Sequence, residues 1–289
     1  MDLRLDRLAT LYIATPLMRI ALKREPAIPI LMYHGIAEQD ESGKHPYFRT
    51  STSPAVFGAQ IEYLHVHGYR TCSVGQAIAF LEADSPEAGK YVVLTFDDGY
   101  RDFYANAFPV LNQYGFTATV YLPTAFIGDR MMQFKGRDCL TWSEVRELQA
   151  HGIEFGSHTV THAQLHDLDA KSIDAEISNS KATIEGKTGS RVDSFAYPYA
   201  FPQTDQEFTR RLRGFLETAG YTEGVCTVIG RARRDGGRFF IERLPINSLD
   251  DRALLKAKLD GAYDWMARPQ ASFKAFKNGA NRSTMRGDA

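Results

Sequence analysis

Short apolar runs alternate with longer amphipathic stretches through most of this chain. Ile28–Tyr33, Tyr69–Cys72, Val92–Leu94, Thr117–Leu122, Ile153–Gly156, Val192–Ala196, Tyr221–Ile229 and Phe239–Ile246 have the length and apolar character of strands. The stretches between them carry helix signals. Ser53-Pro54 pairs a capping residue with a proline at the first helical position and opens a helix that ends at Gly68. Thr141-Trp142-Ser143-Glu144 is a capping box, and its helix stops at Gly152. Further helices are predicted over Ser73–Leu81, Phe103–Tyr114, Asp169–Lys187, Thr204–Ala219 and Asp250–Met266. Strands that alternate with helices form a parallel sheet. Seven or eight such units favour a closed or nearly closed α/β barrel, whose chemistry gathers where strands end.

The pattern divides the chain into an N-terminal helical segment over 1–25, a barrel domain over 26–270 and a basic tail over 271–289. Leu8–Met18 is mostly apolar, with Arg4 and Arg7 before it and Arg19, Lys23 and Arg24 after it. It is too short to span a bilayer. No small-residue cleavage site follows, so a cytoplasmic chain is expected rather than a secreted one. A helix packed on the domain and an amphipathic segment touching a membrane surface are both open readings. Lys and Arg number 34 against 35 Asp and Glu, so no charge excess points to nucleic acid. Three widely spaced cysteines fit no metal pattern and read as reduced thiols.

Candidate chemistry sits just after predicted strands. Val93–Phe96 runs into Asp97-Asp98-Gly99, two adjacent carboxylates and a turn glycine. Alternation along a strand sends the two carboxylates in different directions, which suits one for a metal and one for a proton. His158 and His162 stand four residues apart after the next-but-one strand. If that segment turns helically, both face one ion, and with a carboxylate they form a catalytic zinc site with open positions. His166 reads as exposed or behind the ligands. His34 ends the first strand and can act as a general acid near neutral pH. Pro198 fixes a turn after Ala196 that can aim a backbone N–H at an oxyanion. Tyr100, Phe126 and Trp142 either stack on sugar rings or fill the core.

The set Thr95-Phe96-Asp97-Asp98-Gly99, His158-Thr159-x-x-His162 and Tyr197-Pro198-Tyr199 resembles the polysaccharide deacetylase family (NodB-homology, carbohydrate esterase 4). The likeness runs from about Pro29 to the region of Pro245. It implies a distorted (β/α) barrel of about seven strands that removes acetyl groups from N-acetylated sugars with a divalent metal. Zinc is the first expectation, with Co2+, Ni2+ or Fe2+ as alternatives. By the resemblance Asp98, His158 and His162 hold the metal, Asp97 is the base and the Tyr199 N–H serves the oxyanion. Two departures stand out. Many members carry an Arg, in contact with the base, where this chain has Ala196, so Asp97 must be tuned from elsewhere. Many also carry a late His, and this chain has none after His166. The permuted exopolysaccharide-deacetylase branch places that acid in an N-terminal strand, which Met32-Tyr33-His34-Gly35 resembles. The expected partner is an acetylated polysaccharide or a glycolipid-linked saccharide. An O-acetyl esterase, a non-sugar amide hydrolase and a non-catalytic carbohydrate-binding module are the competing readings.

Overall fold

The computed structural model describes residues 4–20, 25–83 and 88–270. Seven parallel strands close into a ring: β1 (Ile30–Tyr33), β2 (Tyr91–Phe96), β3 (Thr119–Leu122), β4 (Glu154–Ser157), β5 (Ser194–Ala196), β6 (Glu223–Ile229) and β7 (Ile241–Pro245). They follow one another in chain order, and β7 returns to β1 through Leu244 beside Leu31. Arg70–Thr71 pairs with β2 outside the ring. The expected seven-stranded (β/α) barrel is therefore present.

The outer layer consists of α1 (Pro54–Val66), α2 (Val74–Glu82), α3 (Phe108–Gln113), α4 (Trp142–Ala150), α5 (Ala170–Thr188), α6 (Gln206–Thr218) and α7 (Arg252–Asp260). The predicted caps act as expected. Ser53 Oγ accepts from Val56 N, and Thr141 with Glu144 forms a reciprocal box. Two predicted helices are shorter than the pattern suggested. The Phe103–Tyr114 stretch opens as a π turn, Phe103–Ala107, before α3. The last helix stops at Gly261, whose φ of 93° leaves the right-handed helix, and Asp264–Met266 forms a separate turn. The proposed tail over 271–289 lies outside the described residues.

Strand alternation sorts the core into two layers. Leu31, Leu94, Val120, Leu122, Phe155 and Phe195 face the helices. Ile30, Val93, Tyr121, Val225 and Ile241 fill the barrel, and α2 seals one end through Val74, Ala77, Ile78 and Leu81. Gly156 makes room for this filling: a Cβ there would stand 2.4 Å from Tyr121 Cε1. Trp142 is buried in the core, which settles its role in favour of packing, while Tyr100, also buried, sets its hydroxyl against Asp98. Side chains on the same faces further along (Thr95 and Asp97 after Val93, Arg243 after Ile241) point into the opposite, open mouth.

Candidate active site at the open end of the barrel

At the end of β2 the backbone turns left-handed at Asp98 (φ 74°) and again at Gly99 (φ 61°). This splits the two carboxylates between different partners. Asp98 faces the histidines. His162 Nε2 stands 3.1 Å and His158 Nε2 3.7 Å from Asp98 Oδ1. Ligand atoms of the three residues lie within 4.8 Å of one another, and all three side chains are buried. Asp98 Oδ1 and His162 Nδ1 have no hydrogen-bond partner. Two imidazoles and a carboxylate with orphaned acceptor atoms, converging on one point, fit a divalent cation.

The histidines do not meet through a helical turn, as their spacing suggested. Residues 158–163 form a loop in which Thr159 (φ 67°) and His162 (φ 57°) are left-handed. The loop is tied down from α5. Glu176 accepts from the N–H groups of Val160 and Thr161 and from the Thr161 hydroxyl. His158 Nδ1 donates to the carbonyl of Ala196 at 2.8 Å, which leaves Nε2 as the inward lone pair. Burial pushes this imidazole down to about 4, so it is neutral at physiological pH and available as a ligand. Burial tends to raise the Asp98 carboxyl, but His162, His34, His158 and Lys135 outweigh it and hold the group far below the usual carboxylate range.

Asp97 turns to the other side of the mouth. Its Oδ1 and Oδ2 accept from Arg243 Nη1 and Nη2 at 2.7 and 2.8 Å, a bidentate pair in which both side chains are buried. Arg243 also donates to Thr95 Oγ1 and to the Cys226 carbonyl. Burial works to raise the Asp97 carboxyl, and Arg243, His158 and His34 together bring it below its ordinary value. The group is therefore an ionised acceptor at neutral pH.

His34 is half-buried and follows β1, level with Asp97, whose N–H donates to the Tyr33 carbonyl. It feels both carboxylates, yet burial dominates and draws its imidazole below 6.5. Tyr199 is left-handed (φ 58°), and its ring meets His162 edge-on at 4.5 Å. A hairpin that the sequence pattern missed, Gln133–Phe134 with Arg137–Asp138, overhangs the site. From its tip Lys135 (φ 51°) reaches to 3.9 Å from Asp98 Oδ2 and lies over the rings of Phe134 and Tyr199. Six described non-glycine residues have left-handed φ, and five of them (Asp98, Lys135, Thr159, His162, Tyr199) belong to this mouth. Backbone strain is concentrated where side chains must converge. His166 is elsewhere, with Nε2 3.1 Å from Asp205 Oδ2.

The family model for polysaccharide deacetylase matches residues 84–223, the span that carries Asp97, Asp98, His158, His162 and Tyr199. The solved structure of the Streptococcus pyogenes deacetylase PplD in complex with acetate superposes with a TM-score of 0.70 at 26% identity, over 82% of this chain and 99% of that one. The central part of the chain, residues 84–223, matches the polysaccharide deacetylase family. That match, with relatives named as N-deacetylases, makes it an enzyme of the deacetylase class, a hydrolase of amide bonds. YxkH of Bacillus subtilis (strain 168), a polysaccharide deacetylase homologue, is 29% identical over 228 residues, 79% of this chain and 74% of that protein. The poly-beta-1,6-N-acetyl-D-glucosamine N-deacetylase of Escherichia coli (strain K12) is 30% identical over 140 residues. That match covers 45% of this chain and only 20% of the Escherichia coli enzyme.

The tuning of Asp97, expected from somewhere other than position 196, comes from β7. Ala196 holds the position on β5, and the arginine facing Asp97 comes from β7, on the far side of β6. Sequence reading left Asp97 without a partner. The signal was present in the run Ile241-Glu242-Arg243-Leu244-Pro245, where alternation places Arg243 on the same inward face as Ile241 and Glu242 on the other.

Proposed function

We propose that this chain is a metal-dependent hydrolase that removes acetyl groups from N-acetylated hexosamine units of an exopolysaccharide or its lipid-linked precursor. The observation that carries the reading is the pairing of two arrangements at one mouth: three buried ligand atoms within 4.8 Å and, beside them, an aspartate held ionised by Arg243. The substrate class rests on the name of the Escherichia coli relative and on the family match. For the lipid-linked version, the N-terminal segment would supply a contact with a membrane surface.

Asp98, His158 and His162 would hold the ion, zinc by the nitrogen-rich donor set. A bound divalent ion polarises an acyl carbonyl and acidifies water. Asp97 accepts the proton of the attacking water as the C–O bond forms. Its alignment comes from Arg243, which fixes both carboxylate oxygens. The Tyr199 N–H donates to the carbonyl oxygen as charge gathers there. His34 gives its proton to the nitrogen as the C–N bond breaks, leaving an amine and acetate.

The test is acetate release from N-acetylglucosamine oligomers and from matched O-acetylated sugars, with metal-stripped and zinc-reloaded protein. Release from the amide substrate that requires reloading is expected. Zinc-independent release would overturn the metal role. Release from the ester alone would move the enzyme to the esterase reading.

A further inference from the structure

The N-terminal segment presents an apolar face that no described part of the chain covers. It runs as a helix, Leu5–Ala9, a single π turn, Thr10–Ala14, and a second helical stretch, Thr15–Ile20. One side is fastened to the barrel. Arg4 donates to Asp250 at 3.1 Å and Arg7 to Asp251 at 2.6 Å. The Tyr263 hydroxyl donates to Asp6 at 2.7 Å, and the Trp265 indole N–H to Thr10 Oγ1 at 3.0 Å. Asp250 is itself held at 2.9 Å by the buried ammonium of Lys258. The helix orientation is therefore set by polar contacts that reach into the interior.

The other side exposes Leu5, Leu8, Tyr12, Ile13, Leu17 and Ile20, between 36% and 76% accessible. In an uninterrupted α-helix these six positions would spread over roughly 180° of the circumference. The wider winding of the π turn draws them into a band of about 100°. That is the width of the apolar face of an amphipathic helix. The π turn thus aligns a stripe that the spacing would otherwise scatter.

Charge points to what covers it. In the sequence, residues 1–24 hold five Lys or Arg and two Asp or Glu, a balance of +3 in a chain whose total is −1. Trp265, bonded to Thr10, stays 37% exposed at the edge of the stripe. Along the sequence the apolar residues of the stripe lie between Arg4 and Arg7 on one side and Arg19, Lys23 and Arg24 on the other, and with Tyr12 they have the composition of an interfacial helix. None of the described helices is long and apolar enough to cross a membrane.

We infer that this face lies along an anionic lipid surface, its apolar side chains in the headgroup–acyl boundary and the barrel held against the membrane. The inference rests on the membrane contact proposed above and needs nothing from the acetyl chemistry. The full chain is co-sedimented with vesicles of phosphatidylcholine, with and without phosphatidylserine. Binding is expected only to the vesicles with phosphatidylserine and is expected to weaken with salt. It should fall at least about tenfold in the triple variant Tyr12→Ser, Ile13→Ser, Leu17→Ser. Val66→Ser, which removes an equally exposed apolar residue from α1, should bind as wild type does. Equal binding of the triple variant, or no binding by wild type, overturns the inference. So does light scattering that shows a dimer which the triple variant dissolves, because the face would then join two copies. Acetate release from a soluble substrate reads the deacetylase proposal separately, so the two can fail independently.

Discussion

Asp97 and Glu223 are buried carboxylates inside the same barrel, one at each end, and their surroundings treat them in opposite ways. At the open mouth, Asp97 receives two hydrogen bonds from Arg243 and is held below the ordinary carboxylate range. At the sealed end, Glu223 has burial first and then the charges of Glu154 and Asp193 working against ionisation, and its carboxyl is pushed up to about 7. A backbone N–H from Gly75 and the more distant Arg238 offset little of this. Burial acts in the same direction at both ends. The presence of a paired cation decides the outcome, so an ionised base deep in this fold requires Arg243.

The most severe way to break the open end is Asp97→Asn, which keeps the shape and removes the proton acceptor. We expect kcat to fall by about 10²–10⁴-fold while zinc binding, measured calorimetrically, stays near wild type. Zinc binding lost together with activity would show that Asp97 serves the ligand set instead.

Arg243→Met is the next test. Removing one partner of a buried pair costs about 3–5 kcal/mol in folding stability, read by urea denaturation. It also alters pH behaviour. Because the folded-state value of Asp97 is depressed, its contribution to stability is present above the unfolded carboxylate value and is lost as pH falls through the folded one. Without the guanidinium, burial is less opposed and the carboxyl rises. The acid limb of the kcat/KM profile should then move to higher pH, with at least a tenfold loss in rate near the wild-type optimum. A stability loss without movement of that limb would make Arg243 a packing residue only.

These two residues also mark what could be read from sequence. Asp97, Asp98 and His158 were legible because they close strands whose apolar runs are local and periodic, and His162 because it stands four residues beyond His158. The barrel was legible for the same reason. Arg243 was not, because its partner lies 146 residues away and only ring closure brings β7 to the mouth beside β1 and β2. The shape of the histidine loop was hidden too. A four-residue spacing suggests a helical turn, but here Glu176 of α5 captures two N–H groups and a hydroxyl of the loop, stabilising left-handed residues instead. The hairpin bearing Lys135 has two-residue strands, below the length at which alternation can be recognised.

Glu223→Gln probes the sealed end and should have the smallest effect and the opposite sign. Glu223 titrates at about 7 in the folded chain, above the ordinary value of 4.5. Between those two values the folded protein holds a proton that the unfolded chain has released, so wild-type stability falls as pH rises through this window. Glutamine keeps the acceptor oxygen for Gly75 and cannot ionise. The variant should match wild type below about pH 4 and exceed it increasingly up to pH 7, by about 3 kcal/mol above that. Urea midpoints at three pH values give the answer, and acetate release should not change, since the residue lies at the far end of the barrel from Asp97. A variant less stable than wild type at pH 8 would mean that Glu223 is ionised and paired in the native state. The two ends of the barrel would then handle buried charge by the same means, and the contrast with Asp97 would fail.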